Sequence, residues 1–227
     1  MAKKNEEFAK QDEQLQEVNE ALTGAGKWIE DNANLLSWIL VAIIVVVMAI
    51  IAINQYVIKP KAAEAANENA KAEAYFLAGD FDKALNGDDA ECIGFEAIAD
   101  EYKHYQQGEL AALYAGICYF EKGEYEEAAR FLKKFSADDL NINPAAHQLL
   151  GDAYVELQEY GKAASAFEAA AASGNEIIAP MSLKKAGLVY LHENQKAKAL
   201  KAFKTIKDNY PSSAEAQDID KYIAIAE

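Results

Sequence analysis

The sequence predicts an all-α protein in which a single N-terminal transmembrane helix precedes an α-solenoid of helix–turn–helix repeats with a C-terminal capping helix. Three observations lead to this prediction. An apolar run of 19 residues extends from Leu35 to Ile53. A glycine-centred motif then recurs at spacings of 35 and 36 residues. Proline occurs only 4 times and alanine is abundant, a composition that favours helix.

The apolar run contains no charged residue, and Ser37 is its only polar one. As a helix it extends about 28 Å, against about 30 Å for the hydrocarbon core of a bilayer. A core helix of a soluble domain and a cleaved signal peptide are the alternatives. The run has no polar face, begins behind an acidic segment and is followed by no clear A-x-A site, so we expect a retained single-span anchor and its exit over 35–58.

The head, residues 1–34, is polar and contains one predicted amphipathic helix through Leu15, Val18 and Leu22. The lysines that flank the run do not determine its orientation. Within about 20 residues of the run, one lysine lies on the N-terminal side and three on the C-terminal side, whereas the whole head gives four against three. The positive-inside rule therefore leaves the orientation open.

The charge of the C-terminal part restricts the classes of partner. The formal net charge of the chain is −15, and from Lys61 to Glu227 there are 17 lysines and arginines against 29 acidic residues, a net charge of −12. Such a surface repels phosphate backbones, which argues against nucleic-acid binding. Arg130 is the only arginine, so a clamp built from arginine forks is not available.

The repeat is the most informative feature of the sequence. Gly116, Gly151 and Gly187 each follow a small or apolar residue and each precede a tyrosine by three positions. An alanine follows each glycine at +12 and a large apolar residue follows at +16. These residues are Ala128, Ala163 and Ala199 at +12, and Leu132, Phe167 and Phe203 at +16.

This pattern resembles the tetratricopeptide repeat, a helix–turn–helix unit of about 34 residues. The resemblance covers 109–211 and implies that small residues allow paired helices to approach closely while large residues fill the space between pairs. A degenerate first repeat is expected over 59–108. Its boundary is predicted at Lys59–Lys61, where a new helix is expected to start because proline is tolerated in the first turn of a helix. A capping helix is expected over 212–227.

No catalytic or metal-binding pattern stands out. The motifs G-x-S-x-G, P-loop and H-E-x-x-H do not occur, the three histidines stand alone, and the aspartates of 80–89 do not fit a calcium loop. We therefore expect a non-enzyme without a cofactor or a bound metal. Cys92 and Cys118 are too few for a disulfide framework, and buried thiols are favoured over a bridge between them.

The family resemblance implies a concave groove lined by repeat positions 2, 5, 9 and 12 of each first helix. Ile117, Asp152 and Leu188 stand where chaperone-tail receptors of the family carry an asparagine, so a carboxylate clamp is not expected. The mostly apolar surface suits an amphipathic helix or an extended apolar segment. Filling of the groove by 61–78 or by the cap is an equally weighted alternative. The candidate groove residues are Leu110, Leu113, Ile117, Phe120, Gln148, Asp152, Val155, Lys184, Leu188 and Leu191.

The whole layout resembles the YfgM-like ancillary subunits of the bacterial Sec translocon, and also coordinators of envelope growth that share their repeat domain. A Bacteroidetes-type version is most similar, through 82–87, 134–140, 183–190 and 206–211. The resemblance implies an inner-membrane protein with a periplasmic C-terminal domain, and implies the translocon and a membrane-anchored periplasmic chaperone as partners. The expected function is a scaffold for translocation or chaperone hand-off. A structural or assembly protein that self-associates or coordinates envelope biogenesis is the alternative.

Overall fold

All the regular structure that is described is helical, as the sequence predicts. The chain divides into two compact units, Met1–Pro60 and Lys61–Glu227. No strand occurs among the described residues. The computed structural model describes residues 27–28, 30–88, 91–137 and 139–227.

A π-helical turn at Asn54–Ile58 separates the first two helices, and a 3₁₀ turn at Glu215–Asp218 precedes the last. The helix predicted for the head lies outside the described residues. The α-helices, numbered in chain order, are α1 Ala33–Ile53, α2 Lys59–Leu77, α3 Phe81–Asn86, α4 Gly94–Glu101, α5 Gln106–Glu121, α6 Tyr125–Leu132, α7 Ile142–Glu156, α8 Tyr160–Ala171, α9 Ile178–His192, α10 Lys196–Asn209 and α11 Ile219–Ala226.

Helix α1 contains the apolar run, and none of its residues is buried. By length and composition, the helix that begins at Ala33 is able to cross a membrane. Ser37 donates its hydroxyl to the Ala33 carbonyl oxygen at 2.7 Å. The only polar side chain of the run is therefore satisfied within its own helix, as a lipid environment requires.

Pro60 is the second residue of α2, and helical backbone precedes it, so its ring is accommodated inside a helix. The preceding segment is helical rather than a non-helical linker, because the π-helical turn runs directly into α2. A π turn widens the backbone, which makes room for a proline ring that would otherwise meet the carbonyl group four residues earlier. The boundary predicted at Lys59–Lys61 is therefore a change from π-helical to α-helical hydrogen bonding, with no break in the helical backbone.

Three helix pairs form the repeat array: α5 with α6, α7 with α8, and α9 with α10. The alanines at +12, Ala128, Ala163 and Ala199, are completely buried. Each motif glycine lies against the large residue at +16, so that even one added methyl carbon would clash with it. Such a carbon would lie 2.6 Å from Leu132 Cγ at Gly116, 2.4 Å from Phe167 Cε1 at Gly151, and 2.3 Å from Phe203 Cε1 at Gly187. The close helix approach implied by the repeat is therefore present.

The turns inside the three hairpins share one conformation. The residue at +7 from each motif glycine adopts positive φ: Gly123 at 77°, Gln158 at 60° and Asn194 at 57°. The next residue donates its N–H to the carbonyl oxygen of the motif tyrosine, at 2.9, 2.8 and 2.7 Å respectively. This is the Schellman helix ending, and it reverses the chain into the second helix of each pair.

The segment before the three repeats has the same spacing of small residues and turn, but it carries alanine at the position of the motif glycine. Ala72 is completely buried, Gly79 at +7 adopts a φ of 77°, and Ala84 at +12 is again completely buried. The carbonyl oxygen of Tyr75 at +3 accepts the turn hydrogen bond from the Asp80 N–H at 3.0 Å. The segment before the three repeats therefore shares the turn geometry of their hairpins.

This segment then departs from the pattern of the three repeats. The second half of this segment is helical in two pieces. The first piece, α3, ends at Asn86, and the second, α4, begins only at Gly94. The side-chain Oδ1 of Asp88 accepts hydrogen bonds from the backbone N–H groups of Glu91 and Cys92, which ties Asp88 to the residues that lead into α4. Phe95 and Ile98 of α4 are completely buried, so the residues between α3 and α4 still lead into the core.

Helix α11 closes the array. Ile219 is buried, and the ring of Tyr222 packs on that of Phe203 with the centroids 5.5 Å apart. The predicted capping helix is therefore present. Cys92 and Cys118 are both buried and free, so the bridge between them that the sequence left open is not formed.

Candidate partner-binding groove

The candidate groove residues lie on α5, α7 and α9, the first helices of the three repeats. Leu113 is buried, and Leu110 and Leu188 are exposed, with 37% and 43% of their surface accessible. The other members are intermediate in burial. They are Ile117, Phe120, Gln148, Asp152, Val155, Lys184 and Leu191.

The polar members of the candidate groove are engaged by other parts of the chain. Lys185 Nζ of α9 lies 2.8 Å from Oδ1 and 2.6 Å from Oδ2 of Asp152. Lys184 Nζ donates to Asp218 Oδ1 at 2.7 Å. Gln148 Nε2 contacts the thioether sulfur of Met181 at 2.9 Å. These side chains link successive repeats to each other and to the cap, which leaves the apolar members as the surface on which a partner can pack.

An apolar cavity of about 340 Å³ opens between the first helices of the first two full repeats. No charged residue lines it, and α7 contributes most of its wall. We call it the α5–α7 recess. Its lining residues are Leu113, Ile117, Asn141, Ile142, Ala145, Ala146 and Leu149.

The two loops between repeats carry further exposed apolar side chains. Asn175 Nδ2 donates to the Leu140 carbonyl oxygen and to Asn141 Oδ1, both at 2.9 Å, and so ties one loop to the other. Leu140 and Ile177 are 68% and 72% exposed on these loops. Sequence reasoning missed both residues because it considered only the repeat positions of the first helices. Two bulky aliphatic residues in the loops that join the repeats were the available signal.

The two segments proposed as internal fillers of the groove have other contacts. In α2, Asn69 Nδ2 donates to the Gln107 carbonyl oxygen at 2.8 Å, and Glu73 Oε1 accepts from the Tyr114 hydroxyl at 3.0 Å. The capping segment reaches the groove surface at Lys184, through Asp218. Neither segment lines the α5–α7 recess.

The buried thiol and phenol groups are structural in character. Burial raises the pKa of the Cys118 thiol from 9.0 to about 12. Burial, with a hydrogen bond to Glu168 at 2.7 Å, raises the pKa of Tyr190 to about 12. Both groups are therefore protonated at neutral pH, and neither supplies a nucleophile. Within the described residues, no group of histidine, cysteine and acidic side chains is arranged to hold a metal ion.

Two family models match this part of the chain, one over residues 110–138 and one over residues 149–214, and both describe the tetratricopeptide repeat. These segments are tetratricopeptide repeats. The family correspondence and the Gly116, Gly151 and Gly187 contacts identify the same hairpins. No curated protein matches the chain.

Two solved structures are similar to the repeat array. A crystal structure of MamA protein is 22% identical, with 71% of this chain and 89% of that chain covered, at a TM-score of 0.52. A second crystal structure of MamA is also 22% identical, with 68% and 91% covered, at a TM-score of 0.49. At this identity the first likeness shows a shared fold. A tetratricopeptide fold is typical of proteins that bind other proteins.

Proposed function

We propose that this chain is a non-enzymatic, membrane-anchored scaffold that binds a protein partner on the concave face of its tetratricopeptide repeats. One observation carries the proposal. The polar groove residues are engaged within the chain, whereas Leu110, Leu188 and the α5–α7 recess present apolar surface that no described segment covers. Exposed apolar surface of this kind is typical of protein-interaction sites.

The anchor in this proposal is α1. All its side chains are unburied, and an apolar helix of this length in water would expose far more hydrocarbon than soluble proteins tolerate. Insertion into a bilayer removes that surface from water. The tether raises the effective concentration of the repeats near other proteins of the same membrane.

The setting we propose is the bacterial inner membrane, with the C-terminal domain in the periplasm. The support is the resemblance to YfgM-like ancillary subunits, which points to the Sec translocon and a membrane-anchored periplasmic chaperone as partners. In that setting the scaffold assists hand-off of translocated chains. The acidic C-terminal domain, with a net charge of −12, fits a role that involves no nucleic acid.

Photocrosslinking in intact cells tests the proposal. A photoreactive amino acid at Leu188 or Phe120 is expected to form an adduct with a second envelope protein. The same amino acid at Lys204, an exposed residue of α10, is the control and is expected to form no such adduct. Only intramolecular products from Leu188 and Phe120 would contradict the groove, and adducts only with a second copy would indicate the self-associating alternative.

A further inference from the structure

We propose that the lysine face of α10, formed by Lys198, Lys201 and Lys204, is a self-association surface, and that it binds the acidic segment 61–108 of a second copy of this chain. The proposal goes beyond the proposed function, because α10 is the second helix of the last repeat whereas the candidate groove lies on the first helices. The two contacts use different helices, so one can form without the other.

Charge is distributed unevenly along the C-terminal domain. Residues 61–108 contain four lysines against 11 acidic residues, a net charge of −7, whereas residues 177–227 contain eight lysines against six acidic residues, a net charge of +2. Helix α10 alone contains five lysines and one aspartate, a net charge of +4. Two copies that bring these unlike segments together therefore attract each other, although the domain as a whole is acidic.

The lysines of α10 occupy the side of the helix that faces away from the repeats. All five of them are exposed. Residues three apart are neighbours on a helix surface, so Lys198, Lys201 and Lys204 follow one another along this outer side. The opposite side packs into the array through Ala199, Ala202, Phe203 and Ile206.

Two of the five lysines hold the cap, and the lysine face remains open beside them. Lys196 Nζ donates to a backbone carbonyl oxygen of α11 at 3.2 Å, and Lys207 Nζ lies 2.7 Å from Asp220 Oδ1. Among the described residues, no carboxylate lies within ion-pair distance of Lys201 or Lys204. Their ammonium groups are therefore available to an acidic surface outside the chain.

The segment 61–108 presents a concave surface of the opposite charge. A cavity of about 350 Å³, which we call the acidic cavity, opens between α2, the end of α4 and the residues that lead into α4. Its only lysine, Lys71, lies 2.7 Å from Glu68 Oε1 and is thereby neutralised. The other carboxylate side chains that line it belong to Glu64, Asp88, Glu91 and Glu101.

The acidic cavity is accessible to lysine side chains. Glu64, Glu91 and Glu101 are exposed, and none of the three forms an ion pair within the described part of the chain. Ile93 also lines the cavity and is 38% exposed. The carbon stem of a lysine can pack on such apolar surface while its ammonium group meets the carboxylates.

A second copy is favoured over an anionic lipid surface as the occupant of the lysine face. Each copy carries both surfaces, and both are exposed within it, so they do not neutralise each other in one chain. The anchor of the proposed function confines the copies to one membrane and so raises their effective concentration. A lipid surface offers nothing to the acidic cavity, and it repels the acidic remainder of the domain.

Sedimentation of the full chain in a nonionic detergent tests this inference. Such micelles contain no anionic headgroup, so association in them is a property of the protein alone. Raising the salt concentration from about 50 mM to about 500 mM should weaken association at least about tenfold, because exposed charges are then screened. A chain that stays monomeric at low salt throughout the micromolar range, or that associates equally at both salt concentrations, would overturn the inference.

A pair of charge reversals locates the two surfaces. Lys201→Glu with Lys204→Glu reverses the lysine face, and Glu91→Lys with Glu101→Lys reverses the acidic cavity, all at exposed positions. Each double variant alone should associate at least about tenfold more weakly than the unmodified chain, because like charges then meet. An equimolar mixture of the two should recover association, since each variant meets the opposite charge on the other.

Lys133→Glu with Lys162→Glu is the matched control. It makes the same change in net charge at two exposed lysines outside α10, and should weaken association by less than about twofold. Equal helical content and thermal stability of the variants exclude misfolding. No recovery in the mixture, or an equal loss in the control, would contradict the contact between the lysine face and the acidic cavity.

The photocrosslinking experiment separates this contact from the groove. At Lys204, where no adduct with a different protein is expected, the inference predicts an adduct between two copies that disappears in the Glu91→Lys, Glu101→Lys variant. Retention of the Leu188 adduct without any Lys204 adduct would overturn the inference and leave the proposed function standing. An adduct of Lys204 with a different protein would identify another acidic partner and would also contradict the inference.

Discussion

Replacing Phe167 with alanine should lower the free energy of unfolding of the repeat array by about 3–5 kcal/mol. Its ring is 1% exposed and lies directly against Gly151, at the centre of the middle hairpin. The substitution removes the ring from a site that is bordered on one side by the helix backbone at Gly151. That backbone cannot move inward to fill the cavity. The loss therefore combines reduced apolar burial with an empty volume.

The measurement is denaturant unfolding of the full chain in detergent, followed by circular dichroism. Leu140→Ala is the control, because Leu140 is 68% exposed and its truncation should change stability by less than about 0.5 kcal/mol. Similar losses in the two variants would mean that Phe167 does not occupy the interior of the array. Loss of the folded state altogether in Phe167→Ala agrees with the prediction, since repeat arrays depend on each interface.

Replacing Gly187 with alanine should also destabilise the array, by about 1–3 kcal/mol, although alanine is the better helix former by about 1 kcal/mol. The added carbon would lie 2.3 Å from Phe203 Cε1, and Phe203 is completely buried, so the ring or one of the two helices must shift to relieve the contact. The steric cost therefore exceeds the gain in helix propensity.

Gly161→Ala is a matched control, because no heavy atom lies within 4 Å of the carbon that it would add. We expect this substitution to stabilise the chain by up to about 1 kcal/mol. The double variant Gly187→Ala, Phe203→Leu should recover part of the loss, since leucine has no ring atom at the contact. A gain in stability for Gly187→Ala equal to that for Gly161→Ala would contradict the close approach of α9 and α10.

The helix pairs could be predicted from the sequence because their determinants are local and repeat in phase. Gly151 and Phe167 are 16 residues apart in one hairpin, and their spacing alone brings them together. The break after Asn86 was likewise readable from the turn residues that follow it. The alignment of the first repeat with the other three was harder to predict, because Ala72 stands where the other repeats carry glycine.

The contacts of the polar groove residues could not be predicted from repeat position. Asp152 and Gln148 are predicted groove residues, and their partners Lys185 and Met181 lie 33 residues away on the next repeat. Which side chains meet across that interface depends on how the repeats stack, which short-range periodicity does not encode. The recess depends on the same stacking and on the course of the loop that contains Leu140.

The proposed function assigns different roles to the two units. Helix α1 provides attachment, and the repeats provide an apolar surface. If the anchor spans the membrane, the head lies on the opposite side from the recess and cannot occupy it. The partner must then lie on the same side of the membrane as the C-terminal domain. The orientation of the anchor is therefore the central claim.

Protease treatment of intact spheroplasts tests that claim most directly. The full chain carries a C-terminal epitope, and a cytoplasmic protein in the same sample reports lysis. The account predicts that added protease removes the epitope while the cytoplasmic protein stays intact, and that a short membrane-bound N-terminal fragment survives. Full protection of the epitope in spheroplasts, followed by digestion once detergent opens the membrane, would place the repeats in the cytoplasm and contradict the account.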